Sequence, residues 1–206
     1  MSGTRIALAA LLYAAMFALA TGLGALRGAV LPISQAEPWL ALGDHAVLAS
    51  LVLGAALMAL VVGSTRVLVA RTQWARDLRE ELRPLVVDAS GPQIAALALL
   101  SGIAEEWRFR GALQPLIGLA LATLLFGLAH LGPGRRFVAW ALWAAVVGLF
   151  LGLIFELTGS LAGPVLAHVG INWLNLHFIA RRDVARDPRP APIGPRLVTD
   201  RTRASG

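Results

Sequence analysis

Apolar runs at 6–26, 45–70, 90–105, 116–131, 137–157 and 161–180 leave little of this chain outside segments of near-spanning length. A hydrocarbon core takes about 20 helical residues per crossing. The runs therefore read as six membrane-spanning helices. Composition agrees, with 57% of the 206 residues hydrophobic, 15% charged and a mean hydropathy of +0.71. The first run, preceded by Arg5, is too long and too weakly terminated for the core of a cleaved signal peptide. The fold class expected is all-α: a polytopic transmembrane helix bundle of about six spans, forming a single domain over 1–180.

Charge orients the bundle. The formal charge is +6, every basic residue is arginine, and most of these flank apolar runs. That is a topological signature with some attraction to anionic lipid, and not a nucleic-acid surface. Leu78, Leu82 and Leu85 fall at helical spacing among Arg71, Arg76, Arg79 and Arg83, which predicts an amphipathic cytoplasmic helix over about 71–88. Pro32, Pro38 and Trp39 suit an interfacial loop. The arginine- and proline-rich tail at 181–206 has no apolar periodicity and is expected to be disordered and cytoplasmic. Both termini are then cytoplasmic. With no cysteine, disulfides, thiolate metal sites and a cysteine nucleophile are excluded.

Against this background, polar residues inside the runs are costly and mark function. Glu105 and Glu106 stand together, followed by Arg108 and Arg110; His130 ends the fourth run, and the sixth carries His168, Asn172 and Asn175. Residues four apart share a helix face, so Glu106 pairs with Arg110, Phe126 with His130 and His168 with Asn172. Adjacent helical residues diverge by about 100°, so Glu105 and Glu106 should not face one cavity. The simplest division makes Glu106 with Arg110 a structural clamp and leaves Glu105 free as general base or acid. The imidazoles titrate, donate or ligate, and the Asn172 amide suits an oxyanion. Taken singly, each has a blander reading: an intrahelical ion pair, an interfacial histidine bonded to carbonyls, interhelical hydrogen-bonding glue. Glu156 reads as interfacial, Trp107, Phe126 and Trp173 as packing, and His45 and His177 have no role. Three polar faces in separate spans favour function.

Glu105-Glu106-Trp107-Arg108-Phe109-Arg110-Gly111 resembles the EExxxR motif, continued as FRG, of the CPBP intramembrane proteases, the family of type II CAAX prenyl endopeptidases and bacteriocin-immunity proteases. Phe126 to His130 is similar to its FxxxH, and His168 to Asn172 to its HxxxN. The resemblance covers about 91–179. It implies an endopeptidase cutting near the C-terminus of a membrane-anchored protein or peptide, with the bilayer as its other partner; the all-arginine, alanine- and leucine-rich composition points to the bacterial plasma membrane as its location. Glu105 and His130 would activate water, His168 and Asn172 would stabilise the oxyanion, and Glu106 with Arg110 would support the site. A metal-free glutamate mechanism with no cofactor is favoured; zinc, held by Glu105, His130 and His168, is the alternative. A non-enzymatic immunity or partner protein and a proton-coupled carrier are the other classes; the carrier lacks the internal repeat expected of it.

One conflict follows from straight, parallel spans. Counting about 1.5 Å per residue, Glu105 lies some ~20 Å into the membrane while His130 falls near its cytoplasmic end. A tilted fourth span, a buried entry at 115–118, or a turn at 132–134 that dips inward would remove it.

Overall fold

The computed structural model describes residues 3–26 and 37–181. Within them the chain is all-α, with no strand. Helices α1 (Gly3–Leu26), α2 (Ala46–Arg71), α3 (Gln73–Val86) and α4 (Gly91–Glu106) are followed by a π-helical segment, Trp107–Leu113. Helices α5 (Gln114–Leu128), α6 (Arg135–Thr158) and α7 (Ala162–Ala180) complete the bundle. The expected tail beyond Arg181, and most of the loop expected around Pro32, lie outside the described residues.

The burial pattern is that of a protein in lipid. Large apolar side chains such as Leu8, Leu48, Leu60 and Leu142 are exposed, while buried positions include Ser50, Gly54, Ala98, Gly148, Gly152 and Ala167. Small residues let helix backbones approach closely where lipid gives no hydrophobic drive to associate. Three helical stretches are long and apolar enough to cross a membrane: Gly43–Arg71, Gly91–Leu128 and Arg135–Thr158. The chain is thus an integral membrane protein.

Close approach is clearest between α2 and α7. Ser50 donates its hydroxyl to Ser160 O at 3.0 Å and accepts the Gly163 N–H at 2.9 Å, giving a partner to an otherwise open donor at the start of α7. A Cβ on Gly163 would collide with the Ser50 backbone, and one on Gly54 with Gly163. Gly159, at φ 69°, ends α6 in a tight turn. Ser90 and Gln93 form a reciprocal capping box at the start of α4, with Pro92 in its first turn.

The amphipathic segment is helix α3. Arg66 and Arg79 bracket the Phe178 ring, at 3.8 and 4.7 Å, and donate to Leu174 O, Phe178 O and Arg181 O at the C-terminal end of α7. Cations are favourable there because the last carbonyls lack intrahelical donors. Arg136 at the start of α6 reaches Glu81 at 3.2 Å and Asp77 at 3.7 Å.

The decisive departure from six straight spans is at Gly118. The carboxylate-bearing helix does not end before position 116. It continues through the π segment to Ile117, and the chain breaks at Gly118, whose φ of 81° and ψ of 162° belong to a region open essentially to glycine. Phe109 meets Phe126 with ring centroids 5.0 Å apart, and Glu105 meets His130. Phe109 and Phe126 lie eight residues either side of the Ile117–Gly118 link, and Glu105 and His130 twelve. Pairs symmetric about one point define an antiparallel helical hairpin. His130 therefore returns to the depth of Glu105, and the conflict disappears through a fold-back at the 115–118 entry.

Candidate active site

Glu106 is fully buried and forms the pair expected with Arg110, Nη1 to Oε1 at 2.8 Å. Its role is wider than a clamp. The same Oε1 lies 2.6 Å from His168 Nδ1, so one carboxylate oxygen joins an arginine on its own helix to an imidazole on α7. The two adjacent glutamates diverge, as expected, and still meet one side chain. An imidazole has two edges, and while Glu106 takes the Nδ1 edge of His168, Glu105 Oε2 stands 3.8 Å from Nε2 on the other.

His130 closes the group. Its Nδ1 lies 2.8 Å from Phe126 O, and since a carbonyl only accepts, that nitrogen carries the proton. The lone pair of Nε2 then faces Glu105 Oε2, again at 3.8 Å. The carbonyl-bonded histidine anticipated as the bland reading is present, and the same bond fixes the ring towards the carboxylate. Phe126, 2% exposed, packs against both imidazoles with centroids at 4.7 Å and 5.8 Å. Glu105 Oε2 is buried and has no hydrogen-bond partner in the protein. At 3.8 Å from two imidazole nitrogens it is beyond direct hydrogen bonding, the range in which a bridging water belongs.

Asn172 lies one turn along from His168 and donates Nδ2–H to Ser101 Oγ at 2.9 Å. Its contact is thus with α4, on which Ser101 precedes Glu105 by one turn. Ser101 was assigned no part in the sequence reading, although its spacing from Glu105 placed it on the same helix face. His130, His168 and Asn172 all line a cavity of about 290 Å³ whose walls are mostly apolar, with Trp74 and Leu82 from α3 and Trp140 and Trp143 from α6.

Behind the site, the π segment packs on α6. Arg110 Nη2 donates to Gly148 O at 2.7 Å and Gln114 Nε2 to Gly152 O at 3.1 Å. Both bonds join residues 38 apart, so these segments run parallel. Cβ atoms on Gly148 and Gly152 would press into Phe126 and Leu119, which is why glycines recur there. Gln114 also bonds Glu156 Oε1 at 2.9 Å. Glu156, near the end of α6 and 9% exposed, is enclosed by protein, because the incoming arm brings Gln114 alongside α6. The backbone at the end of α6 is engaged as well, with the N–H groups of Trp39 and Leu40 bonded to the carbonyls of Glu156 and Leu157. Trp107 packs as expected, stacked on Phe17 at 4.8 Å. His45 and His177 remain apart from this group.

Glu105, His130 and His168 are the donor types that zinc takes, and each imidazole is anchored through Nδ1, as metal-bound histidines usually are. Among the described residues no three His, Cys, Asp or Glu side chains are gathered closely enough to hold a metal ion.

A helical membrane protein with two glutamates and two histidines converging inside the bundle belongs to the class with a buried polar centre, of which a hydrolytic site is one kind. The segment 89–174, which contains all of them, matches the family described as type II CAAX prenyl endopeptidase Rce1-like. It is also 40% identical over 98 residues to the uncharacterized protein YpbD of Bacillus subtilis (strain 168), an alignment covering 47% of this chain and 50% of that relative. The chain thus spans about half the length of the curated relative it matches. No solved structure gives a significant match.

Proposed function

We propose that the protein is an intramembrane endopeptidase of glutamate type, hydrolysing a peptide bond near the C-terminus of a membrane-anchored protein or peptide. The observation that carries this reading is the position of Glu105 Oε2, buried without a hydrogen bond and 3.8 Å from the Nε2 atoms of His130 and His168. Water held between Glu105 and His130 gives one proton to the carboxylate as its oxygen bonds the scissile carbonyl carbon. His130 accepts the other water hydrogen at Nε2 and keeps the molecule aimed. As an imidazolium, His168 donates Nε2–H to the carbonyl oxygen as it becomes an oxyanion, while Glu106 holds Nδ1–H. The second Nδ2–H of Asn172 supplies another oxyanion bond. When the C–N bond breaks, Glu105 returns its proton to the leaving amine. The apolar cavity supports a substrate that arrives from lipid. The location proposed is the bacterial plasma membrane, with α3 and both termini on the cytoplasmic side, in keeping with the arginine-rich flanks.

The zinc-dependent reading draws on one observation, the anchoring of both imidazoles through Nδ1. A single experiment separates the two. Cleavage of a fluorogenic, lipid-anchored peptide by the purified chain in liposomes is expected to survive exhaustive treatment with 1,10-phenanthroline. Loss of activity with the chelator and its return on adding zinc would replace the glutamate mechanism with the metal one.

A further inference from the structure

Trp107, Arg108 and Phe109 are consecutive, and the contacts of the outer two fix the direction of the middle one. Trp107 turns to α1, where it stacks on Phe17 and donates its indole N–H to Thr21 Oγ1 at 3.2 Å. Phe109 turns to α5 and meets Phe126. Arg108 stands about 100° from each around the helix, so its side chain leaves the arm between α1 and α5, on the side away from α6. It is half-buried. Its Nε is buried without a hydrogen-bond partner, and the guanidinium carbon rests 4.4 Å from the centre of the Phe109 ring.

Among the described residues Arg108 has no ion pair. Glu105, three residues earlier, is at the spacing that would allow one, yet it faces the two imidazoles at 3.8 Å. Arg110, two residues on, has both a carboxylate and a carbonyl. A cation left at this depth is costly unless something negative meets it, and an aromatic ring supplies only part of that. Counting about 1.5 Å per residue, Arg108 lies ~25 Å from Gly91 and ~14 Å from Ile117. The nearer end of the arm is thus about half a hydrocarbon thickness away, which disfavours a lipid headgroup as the partner.

The site gives the partner a direction. Ser101 bonds Asn172 and Glu106 bonds His168, so α4 and α7 are antiparallel. The cavity runs from His168 past Asn175 to Ile179, towards the start of α4, and is bordered by Leu78 and Leu82 of α3. Arg108 lies one turn beyond Glu105 on the opposite side. A substrate whose apolar body fills the cavity and whose scissile bond lies at Glu105 therefore continues towards Arg108. The charge that a chain cut near its C-terminus brings there is its terminal carboxylate, whose two oxygens match the paired N–H groups of a guanidinium.

We infer that Arg108 is a specificity-determining residue: it receives the substrate's C-terminal carboxylate and so fixes the cut at a short distance from the chain end. This rests on the endopeptidase reading. Arg108 itself touches no reacting atom.

The test uses the full chain in liposomes with two lipid-anchored fluorogenic peptides that differ only at the C-terminus, one a free carboxylate and the other its amide. The native chain is expected to favour the acid by about 10–100-fold in kcat/KM, the range of a charged hydrogen bond, mostly through KM. Arg108→Gln should abolish that preference, and Arg108→Lys should keep a part of it, because the charge stays and the paired geometry goes. The preference is a ratio within one protein, so partial unfolding of a variant cancels. Independently of turnover, the acid peptide should bind the Glu105→Gln protein more tightly than the amide, read by fluorescence anisotropy, and the difference should vanish when Arg108→Gln is added. Equal cleavage of the two peptides by the native chain, equal binding of them, or a preference that survives Arg108→Gln overturns the inference. A loss in Arg108→Gln that is the same for both peptides and grows with the phosphatidylglycerol content of the liposomes assigns Arg108 to lipid and overturns it as well. If the native chain cleaves neither peptide while the acid still binds more tightly and Arg108→Gln removes the difference, the enzymatic reading falls and the carboxylate site stands.

Discussion

Glu105 and Glu156 are both carboxylates turned to the interior of one bundle, the first 14% and the second 9% exposed, and their surroundings differ in kind. Glu156 receives the Gln114 amide at 2.9 Å and is enclosed where the incoming arm runs beside α6. Glu105 Oε2 has no hydrogen bond and faces two imidazoles whose outer nitrogens are already committed, on the side where those rings line a cavity. A buried polar group with its partners in place joins helices. A buried polar group left without one, among groups that move protons, is set up for chemistry. The fold applies the same residue type to both ends.

Exchanging each carboxylate for its amide is the strongest way to break this comparison. Glu105→Gln is expected to lower the cleavage rate by about 10³-fold with little change in thermal midpoint. Glu156→Gln should leave the rate within about threefold, since the amide keeps a carbonyl oxygen for Gln114. Equal losses of activity in the two variants, measured on one liposome substrate, would erase the distinction.

Arg110 sharpens it from the side of stability. Arg110→Leu leaves the Glu106 charge uncompensated, and loss of a buried partner of this kind costs about 3–5 kcal/mol. Unfolding titrated with SDS should show a loss of that order. Activity should go with it, because Glu106 also holds His168. The smallest effect is assigned to the hairpin. Gly118→Ala forces a side chain into backbone space open to glycine, which costs about 1–3 kcal/mol. It should weaken the Glu105 to His130 approach, which is made across the break. A crosslinking pair of cysteines placed at Phe109 and Phe126 would report whether the arms still meet.

Much of this was open to the sequence because it depends on short-range rules. Apolar runs of near-spanning length, a helix start at Ser90 to Pro92, a glycine turn after Thr158 and an amphipathic stretch near Leu78 each follow from local spacing. So did the shared faces of Glu106 with Arg110, Phe126 with His130 and His168 with Asn172. What spacing could not show was where the third span turned back. Pro115 and Gly118 both invite a break, and only packing of Phe126 on Phe109 and Arg110 selects Gly118, because that choice brings His130 to the depth of Glu105.

Contacts across elements were equally out of reach. The spacing that paired Glu106 with Arg110 is silent about an imidazole 62 residues further on, and nothing near Glu156 in the chain announces Gln114 as its partner. Ser101 carries no motif at all, and its bond to Asn172 exists only because α4 lies against α7. Thus the sequence by itself determined the membrane helices and the residue types able to do acid–base chemistry, since burial in lipid and helical periodicity act along the chain. The tertiary structure alone decided which carboxylate is satisfied and which is left facing the two imidazoles, since hydrogen-bond satisfaction is a property of neighbours that the chain brings together from far apart.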